Sequence, residues 1–410
     1  AKVNKNGYSH ATCLCFFALK RGRKPTFRNF CFLALKITGM RFFREKQLLS
    51  ILLLLGVAIR VFQFLVPRSF YHDEALLAQN ILDLSFPKLT GALLFNQAAP
   101  FGFLWLTKAL VSLLGNYEYV FHLIPAISGI VALFIFHKIA RQLLPPTFAL
   151  IALAFFVFND HLIFYAHAFK QYESDVLTGL ILTAGFLHFS QTRSTLKKWL
   201  MGGFIAAILV YFSQPSIFFL VGGTLVLGFL FWSKQQYGAL KSLLLAAGIW
   251  GASFLVYFFF FLRPSLSNNF LQNYHADYYM PLSFWNWESL RWYARTFIGF
   301  YDNPGAIHFN IGGAIFGLAG IVWNIWKKSP KYLMLLMPFL LAVGASAFGK
   351  YSTIGRLFLF AVPAIIIFMV KGIELFAHFL SRWSPKYGPL ISYAFAGILM
   401  LQSFLNNAIH

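Results

Sequence analysis

The chain has 410 residues, of which 59% are hydrophobic and 11% charged, with a formal net charge of +22 and a mean hydropathy of +0.67. A soluble domain carries about 25% charged residues, so this composition argues against one, and the continuous, non-alternating apolar runs argue against a membrane β-barrel. No nucleic-acid-binding motif accompanies the positive charge; the bases fall in short loops between apolar runs, as topology signals do.

The first 39 residues differ from the rest. All three cysteines, Cys13, Cys15 and Cys31, lie there. Met40 opens "MRFFREKQLLSILLLL", basic and then apolar, the pattern of a signal anchor. We expect a native start at Met40, with residues 1–39 from an over-extended reading frame; an N-terminal peptide map of the natural protein tests this. No disulfide or metal site is read from these cysteines. Residues 40–410 are expected to form one membrane-embedded domain.

Apolar runs of about 18 residues or more mark spanning helices. They are expected near 47–66, 119–137, 147–165, 175–191, 199–213, 216–233, 240–262, 307–326, 332–348, 355–371 and 388–406. The fold class is therefore an all-α polytopic membrane protein of about eleven spans. The stretch "PFGFLWLTKALVSLL" (100–114) is short, begins with Pro and contains Lys108, and is expected to lie at the interface. With residues 40–46 in the cytoplasm, 24 of the 34 Lys and Arg fall on that side. Of the twelve acids, only Glu45 and Glu374 do; the other ten lie at or beyond the outer ends of spans. No acid lies deep in an expected span, which argues against a proton-driven transporter.

The polar chemistry thus collects on the outer face, in a first loop (67–118), a second segment (159–175), a long loop (263–306) and a late segment (349–356). In order, "HDEALLAQNI", "NQAAPFGFLWLTKAL", "YVFHLIPAISGIVALFIFHKIARQLL", "AFKQYESDVLTGLIL" and "YSTIGRLFLFAVP" resemble the motifs of the C-type glycosyltransferases. The resemblance is to family 39, which includes protein O-mannosyltransferases and aminoarabinose transferases, and it is nearest to the short bacterial members. It runs from about residue 41 to 371. Two departures stand out. His122 occupies a place where many members have Arg, and Ala98-Ala99-Pro100 replaces His-Pro-Pro.

The resemblance implies a polyprenyl-phosphate sugar as donor and a lipid, glycan or protein acceptor, with membrane lipids around the chain and no nucleic acid. The reaction needs a carboxylate base for the acceptor hydroxyl, stabilisation of an oxocarbenium-like transition state, and cations or hydrogen-bond donors for the leaving phosphate. By the family motif, Asp73 is the expected base, and Asp175, or Glu173 in its place, the second catalytic acid; Glu74, about 100° around the helix from Asp73, has a secondary catalytic role, orienting sugar or acceptor. Glu173, two residues before Asp175, faces elsewhere on a helix and is a candidate substrate contact, with Tyr172, Tyr351 and His122. Lys170 and Arg356 are the expected phosphate ligands, with Lys350 and Arg263 in reserve. No cofactor is required; a divalent ion beside Asp160 and His161 has no support from spacing.

The expected activity is inverting glycosyl transfer at the outer face of a bacterial plasma membrane, with a cytoplasmic N-terminus. The alternative is a transporter or flippase of a lipid-linked glycan, which calls for internal repeats and broken, paired helices; none is visible in the sequence.

Overall fold

The computed structural model describes residues 25–192, 194–263, 273–283, 285–384 and 397, with only the helical backbone given over 25–44. The expected span at 388–406 and much of the long loop therefore lie outside the described residues. The described residues are helical, without strands. Residues 1–54 form one unit and residues 55–410 a second. The helix α1 (Pro25–Leu65) starts in the first and carries the apolar stretch Glu45–Leu65.

The rest of the order is α2 (His72–Asp83), α3 (Phe101–Leu114), α4 (Glu118–Leu143), α5 (Pro146–Val157), α6 (Asp160–Tyr165), α7 (Tyr172–Gln191), α8 (Leu196–Leu209), α9 (Ser216–Ser233) and α10 (Tyr237–Tyr257). Then come α11 (Trp287–Asp302), α12 (Asn310–Trp326), α13 (Pro330–Ala347), a 3-10 segment (Gly355–Ala361) and α14 (Val362–Trp383). The spans expected up to residue 371 fall largely on helical segments, but among the described residues six helical stretches are long and apolar enough to cross a bilayer: Glu45–Leu65, Glu118–Leu143, Ser216–Ser233, Tyr237–Leu262, Pro330–Ala347 and Gly355–Trp383.

The run at 147–165 is one such difference. It breaks into α5 and α6 because Asn159 caps the second helix: its side-chain oxygen accepts from Leu162 N at 2.9 Å, and its amide donates to Gly305 O at 2.8 Å. At 1.5 Å per residue, α5 alone is only about 18 Å long. Hydropathy marks such a run as one helix because a buried cap leaves the surrounding sequence apolar.

The Gly355–Trp383 stretch is the most enclosed of the six, with 83% of its apolar window buried, while Tyr237–Leu262 has 17% of its window buried within the fold. α12 and α14 touch backbone to backbone. A methyl group at Gly320 would overlap Phe368 O, and one at Gly372 would overlap Phe316 O, so only glycine permits this approach. Beneath α2, the side chains of Leu77, Ala78, Ile81, Leu89, Phe103, Leu104, Phe121 and Phe169 form one apolar cluster. It fixes α2 and α3 against α4 and the 167–170 segment.

Candidate active site

The site starts from the phase of α2. Glu74, Leu77, Ala78 and Ile81 stand at i, i+3, i+4 and i+7 and form its buried face. Asp73 lies about 100° around the helix, and its side chain is 40% exposed. Adjacent acids therefore meet opposite environments.

Glu74 is enclosed and fully engaged. Its carboxylate receives Arg68 Nη2 at 2.7 and 2.8 Å, Tyr71 N at 2.8 Å and Phe169 N at 2.7 Å. Arg68 Nη2 also donates to His167 O at 3.2 Å, and its guanidinium lies over the rings of both Tyr71 and Phe164. The helix start at residue 72 is thereby fastened to the segment before α7. The sequence offered Glu74 as a secondary catalytic acid; in the structure its oxygens hold this junction together.

Asp73 faces the other way, towards two cations. Lys170 Nζ lies 3.4 Å from its Oδ2 and donates to its backbone oxygen at 2.9 Å and to Gln97 Oε1 at 3.0 Å. Arg356 Nη1 lies 3.5 Å from the same Oδ2. Arg356 arrives because its 3-10 segment packs on α7. Burial pulls the Lys170 ammonium below the ordinary lysine range; Asp73 opposes this and Arg356 adds to it.

Tyr172 is buried at the start of α7, its ring edge-on to Tyr165 at 5.1 Å and its phenol within electrostatic reach of Arg356, Asp73 and Asp175. It joins the exposed cluster to a deeper one. Asp175 is buried one turn on, facing Ser213, Tyr257 and Tyr351. Tyr351 donates to Leu357 O at 2.7 Å, and burial, aided by Asp175, raises its phenol well above the usual range.

Glu173 is fully enclosed and looks away from this group, towards Arg60. A methyl group at Gly129 would sit 3.1 Å from Glu173 Oε1 and 3.2 Å from Arg60 Nε, which places the pair against α4. Arg60 itself lies within the first apolar stretch and donates to Gly56 O at 3.2 Å. His122 is buried beside His167, with ring centres 4.7 Å apart, and neither of its nitrogens has a hydrogen-bond partner among the described residues.

The structure thus gathers Asp73, Lys170, Arg356, Tyr172, Asp175 and Tyr351. It turns Glu74, Glu173 and His122 into the packing around them. Lys350 and Arg263 are exposed, and neither forms an ion pair among the described residues. Sequence reasoning did not single out Arg68, Gln97, His167, Tyr165 or Arg60. Arg68 carried a signal, six residues before Glu74; Gln97 is one polar residue in a loop. Among the described residues, no three His, Cys, Asp or Glu gather to hold a metal. Asp160 instead accepts from the backbone of its neighbour His161 at 2.7 Å.

Comparison with known proteins extends these observations. Residues 98–262, which include Lys170, Tyr172 and Asp175, match the family described as dolichyl-phosphate-mannose-protein mannosyltransferase. No curated protein sequence matches the chain. Among solved structures it is similar to ArnT from Cupriavidus metallidurans in the apo state, at 13% identity and a TM-score of 0.52, covering 79% of this chain and 59% of that one. It is also similar to the oligosaccharyltransferase of Archaeoglobus fulgidus in complex with Zn and sulfate, at 16% identity and a TM-score of 0.53, covering 87% and 53%. The archaeal protein AglB with an inhibitory peptide and a dolichol-phosphate gives 12% identity and a TM-score of 0.50, covering 88% and 55%. The chain thus spans between half and three-fifths of the length of these proteins. It is an integral membrane protein with the fold of the C-type glycosyltransferases, and over residues 98–262 it is similar to the protein mannosyltransferase family.

Proposed function

We propose that the chain is a membrane glycosyltransferase that moves a sugar from a polyprenyl phosphate to an acceptor hydroxyl, with inversion. The observation that carries this reading is Asp73: a half-exposed carboxylate within 3.5 Å of two cations, Lys170 and Arg356, supplied by distant segments. The acceptor oxygen bonds to the anomeric carbon as that carbon's bond to the phosphate oxygen breaks. The acceptor proton passes to Asp73, and the charge left on the phosphate is collected by Lys170 and Arg356. A single displacement with one base, the acceptor oxygen entering from the face opposite the phosphate, inverts the anomeric centre. Tyr172 lies in the electrostatic reach of Arg356, and Asp175, one turn further along α7, is the second acid. The likeness to ArnT and to AglB, the latter solved with a dolichol-phosphate, supports a lipid-phosphate donor.

The distribution of bases and acids supports a cytoplasmic N-terminus and a site on the outer face of a plasma membrane. Nucleotide sugars are confined to the cytoplasm, so a site on that face calls for a lipid carrier.

The test is native mass spectrometry of Asp73→Asn purified from its host's membranes. The variant should retain a mass equal to a polyprenyl phosphate plus one sugar, which also names the sugar. If variant and wild type carry only ordinary phospholipids, the donor assignment fails and transport of a lipid-linked glycan becomes the reading to test.

A further inference from the structure

An ammonium has three protons to donate, and three oxygens face Lys170 Nζ: Asp73 O at 2.9 Å, Gln97 Oε1 at 3.0 Å and Asp73 Oδ2 at 3.4 Å. Two belong to the candidate base. The third comes from a loop in an uncommon conformation. Phe95 and Asn96 are consecutive non-glycine residues with φ of +59° and +53°, the left-handed region that side-chain-bearing residues seldom adopt.

Something must hold such a turn in place, and Asn80 does so. It is fully buried on α2; its Oδ1 accepts from Leu94 N at 2.7 Å, and its Nδ2 donates to Leu94 O at 3.3 Å and Leu76 O at 2.8 Å. Gln97 N then donates to Leu94 O at 3.3 Å. A buried asparagine therefore pins a strained turn whose result is a neutral side-chain carbonyl set against an almost fully buried ammonium. The charged groups that act on that ammonium are Asp73 beside it, Arg356 from the 3-10 segment and, more weakly, Glu74 from the far side of α2; the two acids favour its charge, and Arg356 opposes it.

We propose that Gln97 is a positioning residue that keeps Lys170 protonated and aimed beside Asp73 without adding a negative charge where a phosphate must bind. A carboxylate there would hold the ammonium but repel the phosphate. An apolar side chain would leave an ammonium proton unpaired in a site only 8% exposed. The phosphate half of this inference rests on the proposed function; the hold of Gln97 on Lys170 does not.

The experiment is pH-resolved acetylation of Lys170 in the full chain, reconstituted in nanodiscs and read by peptide mass spectrometry. Gln97→Met should label several-fold faster than wild type in mildly alkaline buffer, because loss of the acceptor lowers the ammonium pKa. Gln97→Glu should return labelling to the wild-type rate or below while weakening retention of added undecaprenyl phosphate. If Gln97→Met labels like wild type, Gln97 does not hold Lys170. If Gln97→Glu labels as fast as Gln97→Met, the loop and not the acceptor atom is responsible; either result overturns the proposal. Separately, undecaprenyl phosphate should protect Lys170 in the wild type. Absence of protection, with the two variants behaving as expected, removes Lys170 as a phosphate ligand and leaves its tie to Gln97 supported.

Discussion

Asp73 and Arg356 are separated by 283 residues, and their side chains meet at 3.5 Å. The contact exists because α7 packs against both α4 and the 3-10 segment that carries Arg356. Lys170, two residues before α7, reaches the same Asp73 oxygen at 3.4 Å. One carboxylate and two cations thus converge from three parts of the chain.

Asp73 should dominate the chemistry. Asp73→Asn keeps the shape but cannot take a proton, so transfer from a radiolabelled lipid-phosphate sugar should fall by about 10²–10⁴. A rate within about tenfold of wild type in purified protein would remove Asp73 as the base.

The cations should separate by position. Arg356→Ala removes a ligand beside the base, and the rate should fall by about 10²–10³. Lys350→Ala and Arg263→Ala change exposed side chains, which typically move energies by no more than about 0.5 kcal/mol, so their rates should stay near wild type. The three variants assayed in parallel check the assignment; equal losses in all three would contradict it.

Lys170 should set an alkaline limit. Burial lowers its pKa from the ordinary lysine value, so the ammonium is intact at low pH and lost as pH rises through that lowered value. Transfer should therefore decline on the alkaline side before a free lysine would titrate. Lys170→Arg should move this limb to higher pH, because guanidinium stays protonated. The pH profiles of the two proteins provide the check.

Glu74 should matter for stability more than its neighbour does. Glu74→Ala leaves Arg68, Tyr71 N and Phe169 N without their acceptor, a loss on the order of 3 kcal/mol for a broken buried pair. Thermal unfolding in detergent should show a large fall in midpoint for this variant and a small one for Asp73→Asn. A similar midpoint for both would mean that the Glu74 junction contributes little.

The α12–α14 contact should tolerate no side chain. Gly372→Val would force the backbones apart at Phe316, and overpacking of this kind costs about 1–3 kcal/mol or more. A reduced yield of monodisperse protein in size-exclusion chromatography is the expected result.

Much of the architecture was legible in composition alone. Continuous apolar runs between basic loops leave helices in a bilayer as the economical way to satisfy the backbone, and the helices up to Trp383 stand where those runs lie. Asp73, Lys170 and Arg356 could be picked out as candidates, because charged residues are few and the segments that carry them resemble family motifs; the structure brings both cations within 3.5 Å of Asp73. The helical phase of α2 was available too: Glu74 shares a period with Leu77, Ala78 and Ile81, which already points it inward.

Tertiary structure alone decided which charges meet. Hydropathy registers how greasy a window is and not which neighbour a side chain faces, so Asn159 could end a helix inside an apolar run unnoticed. It could not show that Arg60 and Glu173 face each other inside the fold, or that Lys350 and Arg263 stay outside the cluster. Gln97 was equally silent, because its role depends on a left-handed turn pinned by a residue on another helix. The sequence determined that this chain builds a helical bundle in a membrane with scarce acids, since solvation energy is a property of each segment by itself. Distances between charges arise only when segments far apart in the chain pack together, and so the fold, not the residue order, set Asp73 beside Lys170 and Arg356.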